Sequence, residues 1–157
     1  MDWGQSKKFS DQIEISCVPA RHFSARAVTD RNRTLWAGFV VHTPHGDIYF
    51  AGDTGYGSHV WQIKKIFPNG FRLAFLPIGA YEPKSFMSDV HMGPDEAVVM
   101  SRELGVKQTI PIHFGTFDMA LDGQDDPENR LRDVLGRDEN RDICFDVLHN
   151  GESVSIA

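Results

Sequence analysis

The order in which two periodicities follow one another restricts this chain most. Up to residue 51 the apolar residues come only in short strand-like runs, and from Ser58 onward such runs alternate with stretches of helical period. Residues 12–19, 35–43 and 47–51 read as strands, the last two joined by the hairpin turn Pro44-His45-Gly46. Ser58 is placed to cap a helix through Phe67, with Val60, Ile63 and Phe67 on one face and Pro68-Asn69-Gly70 as its stop. Residues 71–78 follow as a short buried strand. Gly93-Pro94 then opens a second helix, with Asp95 and Glu96 favoured by the dipole, Ala97, Met100 and Leu104 facing inward, and Gly105 ending it. Residues 106–112 are again a strand, and Asp126-Pro127-Glu128 begins a third helix with Leu131, Val134 and Leu135 apolar. A hairpin of residues 143–148 and 153–156 about His149-Asn150-Gly151-Glu152 closes the chain. This order predicts an α/β (α+β layered) unit over residues 1–157, without internal repeats or linkers.

Three of the predicted strands end on residues with metal-binding chemistry. His22 follows the run ending at Pro19, Asp53 follows Ile48-Tyr49-Phe50-Ala51, and His113 follows Thr109-Ile110-Pro111-Ile112. A strand end is rigid and the loop after it is open, so such side chains can converge while keeping solvent access. Two imidazoles and a carboxylate form a common ligand set for a divalent transition metal, usually zinc, and point to metal-assisted hydrolysis. Taken singly, each residue also fits a structural role: a hydrogen-bonded histidine at a strand end, or an Asx-turn at Asp53.

Composition narrows the rest. With 41% hydrophobic and 24% charged residues in 157, the chain reads as one globular domain or part of one. No apolar run reaches the ~18 residues of a membrane span. Met1-Asp2-Trp3-Gly4-Gln5 carries no signal-peptide core. Cys17 and Cys144, in separate apolar runs, are expected to be buried free thiols, which fits a cytoplasmic setting. A net charge of −6 argues against a general nucleic-acid binder. His42, His45, His59 and His149 fit solvated positions and receive no role, and Trp36 and Trp61 are expected in the core or an interface.

Six segments occur in an order that matches a known family: Arg21-His22-Phe23-Ser24, Thr34-Leu35-Trp36, residues 49–56, residues 76–83, His91 with Pro94-Asp95-Glu96-Ala97, and residues 112–117. The chain resembles the C-terminal half of metallo-β-lactamase-fold hydrolases, in the branch of the N-acyl phosphatidylethanolamine-hydrolysing phospholipase D. The resemblance implies a four-layer αββα sandwich of two similar halves, to which this chain supplies the C-terminal β-sheet and its helices. It implies that His22 binds one metal, Asp53 bridges two and His113 binds the second, with up to two zinc ions in a complete domain. His91 is then expected beside the phosphate of a small-molecule or lipid phosphodiester, where a protonated imidazole offsets charge, and Tyr81-Glu82-Pro83 at the site rim. Hydrolysis would use water activated by the metal, with Asp53 helping to orient it.

The departures from that pattern matter as much. The family's remaining ligands come from a His-x-His-x-Asp-His motif in its N-terminal half, and this sequence contains none. The expectation is therefore an open sheet face covered by a separate N-terminal half, by a second copy of the chain, or by the rest of a longer protein. Val90 stands where relatives often carry a glutamine. Two other readings come from different classes: a non-catalytic half-domain that binds a partner chain, and a dimeric aspartic protease built on Asp53-Thr54-Gly55.

Overall fold

The structure, a computed structural model, describes residues 1–156. Among these, β1 (Ser6–Lys8), β2 (Glu14–Pro19), β3 (Ala37–His42), β4 (Ile48–Phe50), β5 (Leu73–Pro77) and β6 (Thr109–Ile112) form one sheet in the order of the sequence. β1 to β4 pair antiparallel, and β4, β5 and β6 pair parallel. A tight turn suffices for the first kind of pairing, and Pro44-His45-Gly46 supplies one, with Gly46 at φ 117° and its N–H donating to Thr43. Parallel neighbours need crossovers, which α1 (His59–Ile66) provides between β4 and β5, and α2 (Lys84–Met87) and α3 (Pro94–Leu104) between β5 and β6. α4 (Asp126–Leu135) follows and packs on α3, where Asp95 accepts two hydrogen bonds from Arg130 at 2.7 and 2.8 Å.

The two sheet faces differ. Ser16, Val40, Tyr49, Ala74 and Thr109 stand in one cross-strand row. This row lies under the helices, where Val40, Tyr49 and Ala74 join Ile63, Met100, Leu104 and Leu131 in the core. The neighbouring row is Cys17, Phe39, Phe50, Phe75 and Ile110, and a further one holds Ile15, Val41, Ile48 and Leu73. These rows belong to the other face, on which Phe39 and Phe50 remain 38% and 43% exposed. An apolar ladder of this kind is the inner face of a sandwich layer, and the chain contributes the helix and sheet layers on one side of it.

Several expectations need correction. The C-terminal hairpin is not formed among the described residues. Residues 143–147 instead turn Ile143, Phe145 and Val147 toward the core and touch β6 through one bridge, Thr109 to Phe145. Residues 153–156 diverge, and the Ile156 carbonyl accepts from Arg72 at 2.7 Å. Ser58 makes no capping hydrogen bond. Ile13 lies outside β2, which begins at Glu14. Cys144 is exposed rather than buried, and His59 is buried at 6% rather than solvated; Trp61, 70% exposed on α1, lies outside the core of this chain. His42 is half-buried in a hydrogen-bonded chain from Ser6 through Ser16 (2.7 Å) and His42 (2.8 Å) to Asp47 (2.9 Å), which crosses from β1 to the start of β4. β1 and α2 were not foreseen.

Candidate metal centre

Four loops at the same end of the sheet bring His22, Asp53, His91 and His113 together. The His22 loop leaves β2 and is tied to the Asp53 loop by two hydrogen bonds of 2.8 Å, from Arg21 N–H to the Thr54 hydroxyl and from Gly55 N–H to the Arg21 carbonyl. Thr54 is fully buried there. Gly52, at φ 68°, lets the chain leave β4 beside β3: a Cβ on it would sit 3.3 Å from the Ala37 carbonyl. Gly55 packs on the backbone of residues 88–90, the segment that delivers His91, and a Cβ would meet the Ser88 carbonyl at 3.0 Å. Arg21 also donates to the Tyr56 carbonyl (2.7 Å) and pairs with Asp89, so it spans three of the four loops. His113 directly follows β6 with φ 62°, a left-handed conformation that a non-glycine residue adopts at a cost and that is common at functional sites.

Asp53 is the centre. Its Oδ1 lies 2.8 Å from Nδ1 of His91, and its Oδ2 lies 3.1 Å from Nε2 of His22 and 3.4 Å from Nε2 of His113. The His91 ring meets that of His22 edge-on at 5.3 Å and stacks on that of His113 at 5.4 Å. His22 lies flat on Phe23, and its Nδ1–H donates to the Phe23 carbonyl at 2.8 Å, which turns Nε2 toward the carboxylate. One donor atom each from His22, Asp53 and His91 lies within 4.8 Å of the other two. The compact triple thus contains His91, and His113 stands on the other side of Asp53 Oδ2.

The donor set fits a cation. His22 Nε2, Asp53 Oδ1 and His91 Nδ1 are buried without a hydrogen bond of normal geometry, although carboxylate and rings are within ion-pair distance. Buried polar atoms that face one another without aligned hydrogen bonds are what a bound ion satisfies. Burial alone would push the Asp53 carboxyl up, but hydrogen bonding and charge from His113 and His91 outweigh it and hold it well below the ordinary carboxylate range. The same contact with Asp53 raises the pKa of His113 against the effect of burial.

His59, at the start of α1, lies behind this cluster with Nε2 3.4 Å from the Thr54 hydroxyl. Burial, and then the positive charge of Arg21, push its pKa down from 6.5 to about 4. Its neutral form is the folded form, so its contribution is complete above the unfolded pKa and is lost as pH falls through the window from 6.5 toward 4. The loss is of order 3 kcal/mol at most. Urea titrations at about pH 7 and about pH 4.5 check this: His59→Gln should flatten the difference, and an unchanged slope would show that other groups carry the acid sensitivity.

The geometry matches what the sequence relationships indicate. The sequence model of the beta-lactamase superfamily domain matches residues 1–114, and the chain belongs to the metallo-β-lactamase superfamily. It is 36% identical over 159 residues to N-acyl-phosphatidylethanolamine-hydrolyzing phospholipase D 1 of Caenorhabditis elegans, covering 97% of this chain and 44% of that protein. It is 31% identical over 134 residues to a UPF0173 metal-dependent hydrolase of Pyrobaculum neutrophilum, covering 85% of this chain and 52% of that one. The fold is that of Igni18, a metallo hydrolase of Ignicoccus hospitalis, with a TM-score of 0.71 and 21% identity over 98% of this chain and 58% of that chain. The chain spans less than half the length of the first of these relatives.

Proposed function

We propose that this chain is the C-terminal half of a metal-dependent phosphodiesterase of the N-acyl phosphatidylethanolamine-hydrolysing phospholipase D-like type, and that His22, Asp53 and His113 are its ligands for zinc. The observation that supports this most is the convergence of three histidines on one half-buried carboxylate. A divalent ion held there supplies Lewis-acid polarisation of a phosphoryl oxygen and activation of water. The residues have separable tasks. Asp53 faces His91 with one oxygen and His22 and His113 with the other, so its two oxygens can serve two ligand positions. His22 is locked by Phe23 with Nε2 inward. His91, on the loop before α3, is the residue we assign to offsetting charge on the phosphate or the leaving group.

The remaining ligands would come from a segment bearing His-x-His-x-Asp-His that covers the open sheet face. Lipid phosphodiesters are the proposed substrate class, because the relative of known chemistry is named for one. Asp53-Thr54-Gly55 lies among three histidines in a metallo-β-lactamase fold, which leaves the aspartic protease reading without support. The test is hydrolysis of a chromogenic phosphodiester by the chain with and without zinc, and with and without a separately produced N-terminal half of a relative. Activity is expected only with both, and His91→Ala should lower it at least ~10-fold. No activity under any combination, with the two halves nonetheless associated, would favour the half-domain that only binds a partner.

A further inference from the structure

We propose that Asp122 is a positioning residue for the metal centre, acting on His113 through the Gly79–Ala80 peptide. This rests on the reading of His113 as a ligand. Asp122 lies beyond the residues that the superfamily model matches, in the loop before α4, and is 9% exposed. Its carboxylate accepts two backbone hydrogen bonds from the loop after β5, from Ala80 N–H at 2.8 Å and from Glu82 N–H at 3.2 Å. Ala80 has φ 60°, so this loop holds a left-handed non-glycine residue of its own. That conformation persists only when the surroundings impose it, and a buried carboxylate gripping the N–H groups on both sides of Tyr81 does so.

The link to His113 is steric. A trans peptide is planar, with N–H and C=O pointing in opposite directions, so fixing Ala80 N–H also fixes the Gly79 carbonyl. Gly79 lies against the His113 backbone so closely that a Cβ would stand 2.3 Å from the His113 carbonyl oxygen and 3.1 Å from Cβ of Phe114. The last parallel hydrogen bond, from Ile78 N–H to the Ile112 carbonyl at 3.1 Å, joins the two strand ends just before this contact. Ala80 and His113 are therefore two left-handed residues on neighbouring strand exits, and Asp122 anchors the pair from outside. Gly79, Ala80, His113 and Asp122 also line one cavity of about 260 Å³, together with Phe114, Phe117 and Met119.

Two readouts test this on the 157-residue chain. One is zinc affinity by competition with a chelator, and the other is the ring resonances of His113 in metal-free protein. Asp122→Ala should weaken zinc at least tenfold and shift or broaden the His113 ring signals, and Asp122→Asn, which keeps one acceptor oxygen, should do less of both. Val134→Ala, a cavity in α4 remote from the loop, should lower stability and leave the His113 signals in place. If Asp122→Ala fails to fold, Asp122→Asn and Asp122→Glu carry the comparison. Wild-type zinc affinity together with wild-type His113 signals in the Asp122 variants would overturn the proposal. A wild-type chain that takes up no zinc would instead overturn the functional reading, and the ring signals would still decide the role of Asp122.

Discussion

Alanine at Asp53 is expected to abolish uptake of divalent metal, weakening it by more than ~100-fold, while the chain stays folded. Both carboxylate oxygens stand among imidazoles, so the substitution removes the carboxylate at the centre of the cluster and leaves three imidazoles to hold an ion. The chain should stay folded because the side chain stands at a strand end outside the apolar core, although the contacts with His113 and His91 that outweigh its burial are lost and some stability goes with them. His113→Ala should behave in the same way. His45→Ala, in the hairpin turn, should leave uptake unchanged. Elemental analysis after dialysis reads the result. The wild-type chain alone should hold at most one ion, removed readily by chelator, because two ions would be under-coordinated by these donors. Normal uptake by an unstable His113→Ala would mean that the histidine serves the fold and not the metal.

The second large effect is on assembly. The open face carries Phe39, Phe50 and Phe75 in one row and Ile15, Val41 and Ile48 in the next. An interface that covers such a face buries roughly 2,000 Å² or more. At ~25 cal/mol per Å² this offers tens of kcal/mol before ordering costs, against an association cost of about 4–15 kcal/mol. The purified chain should therefore scatter light as a dimer or larger particle. Phe39→Glu with Phe50→Lys should shift it to a monomer of 17.7 kDa. Adding an N-terminal half should compete with self-association, since both use the same face. A wild-type monomer at micromolar concentration that binds no hydrophobic dye would show that this face needs no partner.

Strands and helices with strong local pattern were legible in the sequence. The alternation through residues 37–42, the Gly93-Pro94 start and Gly105 stop of α3, and the apolar stripe of Leu131 and Val134 in α4 all depend on neighbours close in sequence. β1 was not legible because Ser6-Lys7-Lys8 has no apolar alternation; it is an exposed edge whose lysines discourage further pairing. The C-terminal residues alternate well enough for a hairpin, yet Ile143, Phe145 and Val147 gain more by packing on the core than by pairing with residues 153–156. At the metal centre the strand-end positions of His22, Asp53 and His113 were visible, because a polar residue after an apolar run is a local signal. Asp122 and His59 gave none. One is an aspartate in an acidic, glycine-containing loop, the other a histidine beside a serine, and only the folded chain shows that each is buried.

The sheet order has a kinetic meaning. Every strand pairs with its neighbours in the sequence, from β1 to β6, but the parallel pairs β4–β5 and β5–β6 form only once their helical crossovers close. Such parallel pairing closes longer loops than a hairpin does and is the slower part of building the sheet. All six strands nevertheless lie within this chain, so it can set the loops that carry His22, Asp53, His91 and His113 side by side on its own. On the proposed reading, with a separate N-terminal half as partner, completing the sandwich becomes an encounter between two preformed pieces. On that reading the step that completes the site is bimolecular, with a rate that rises with the concentration of the partner.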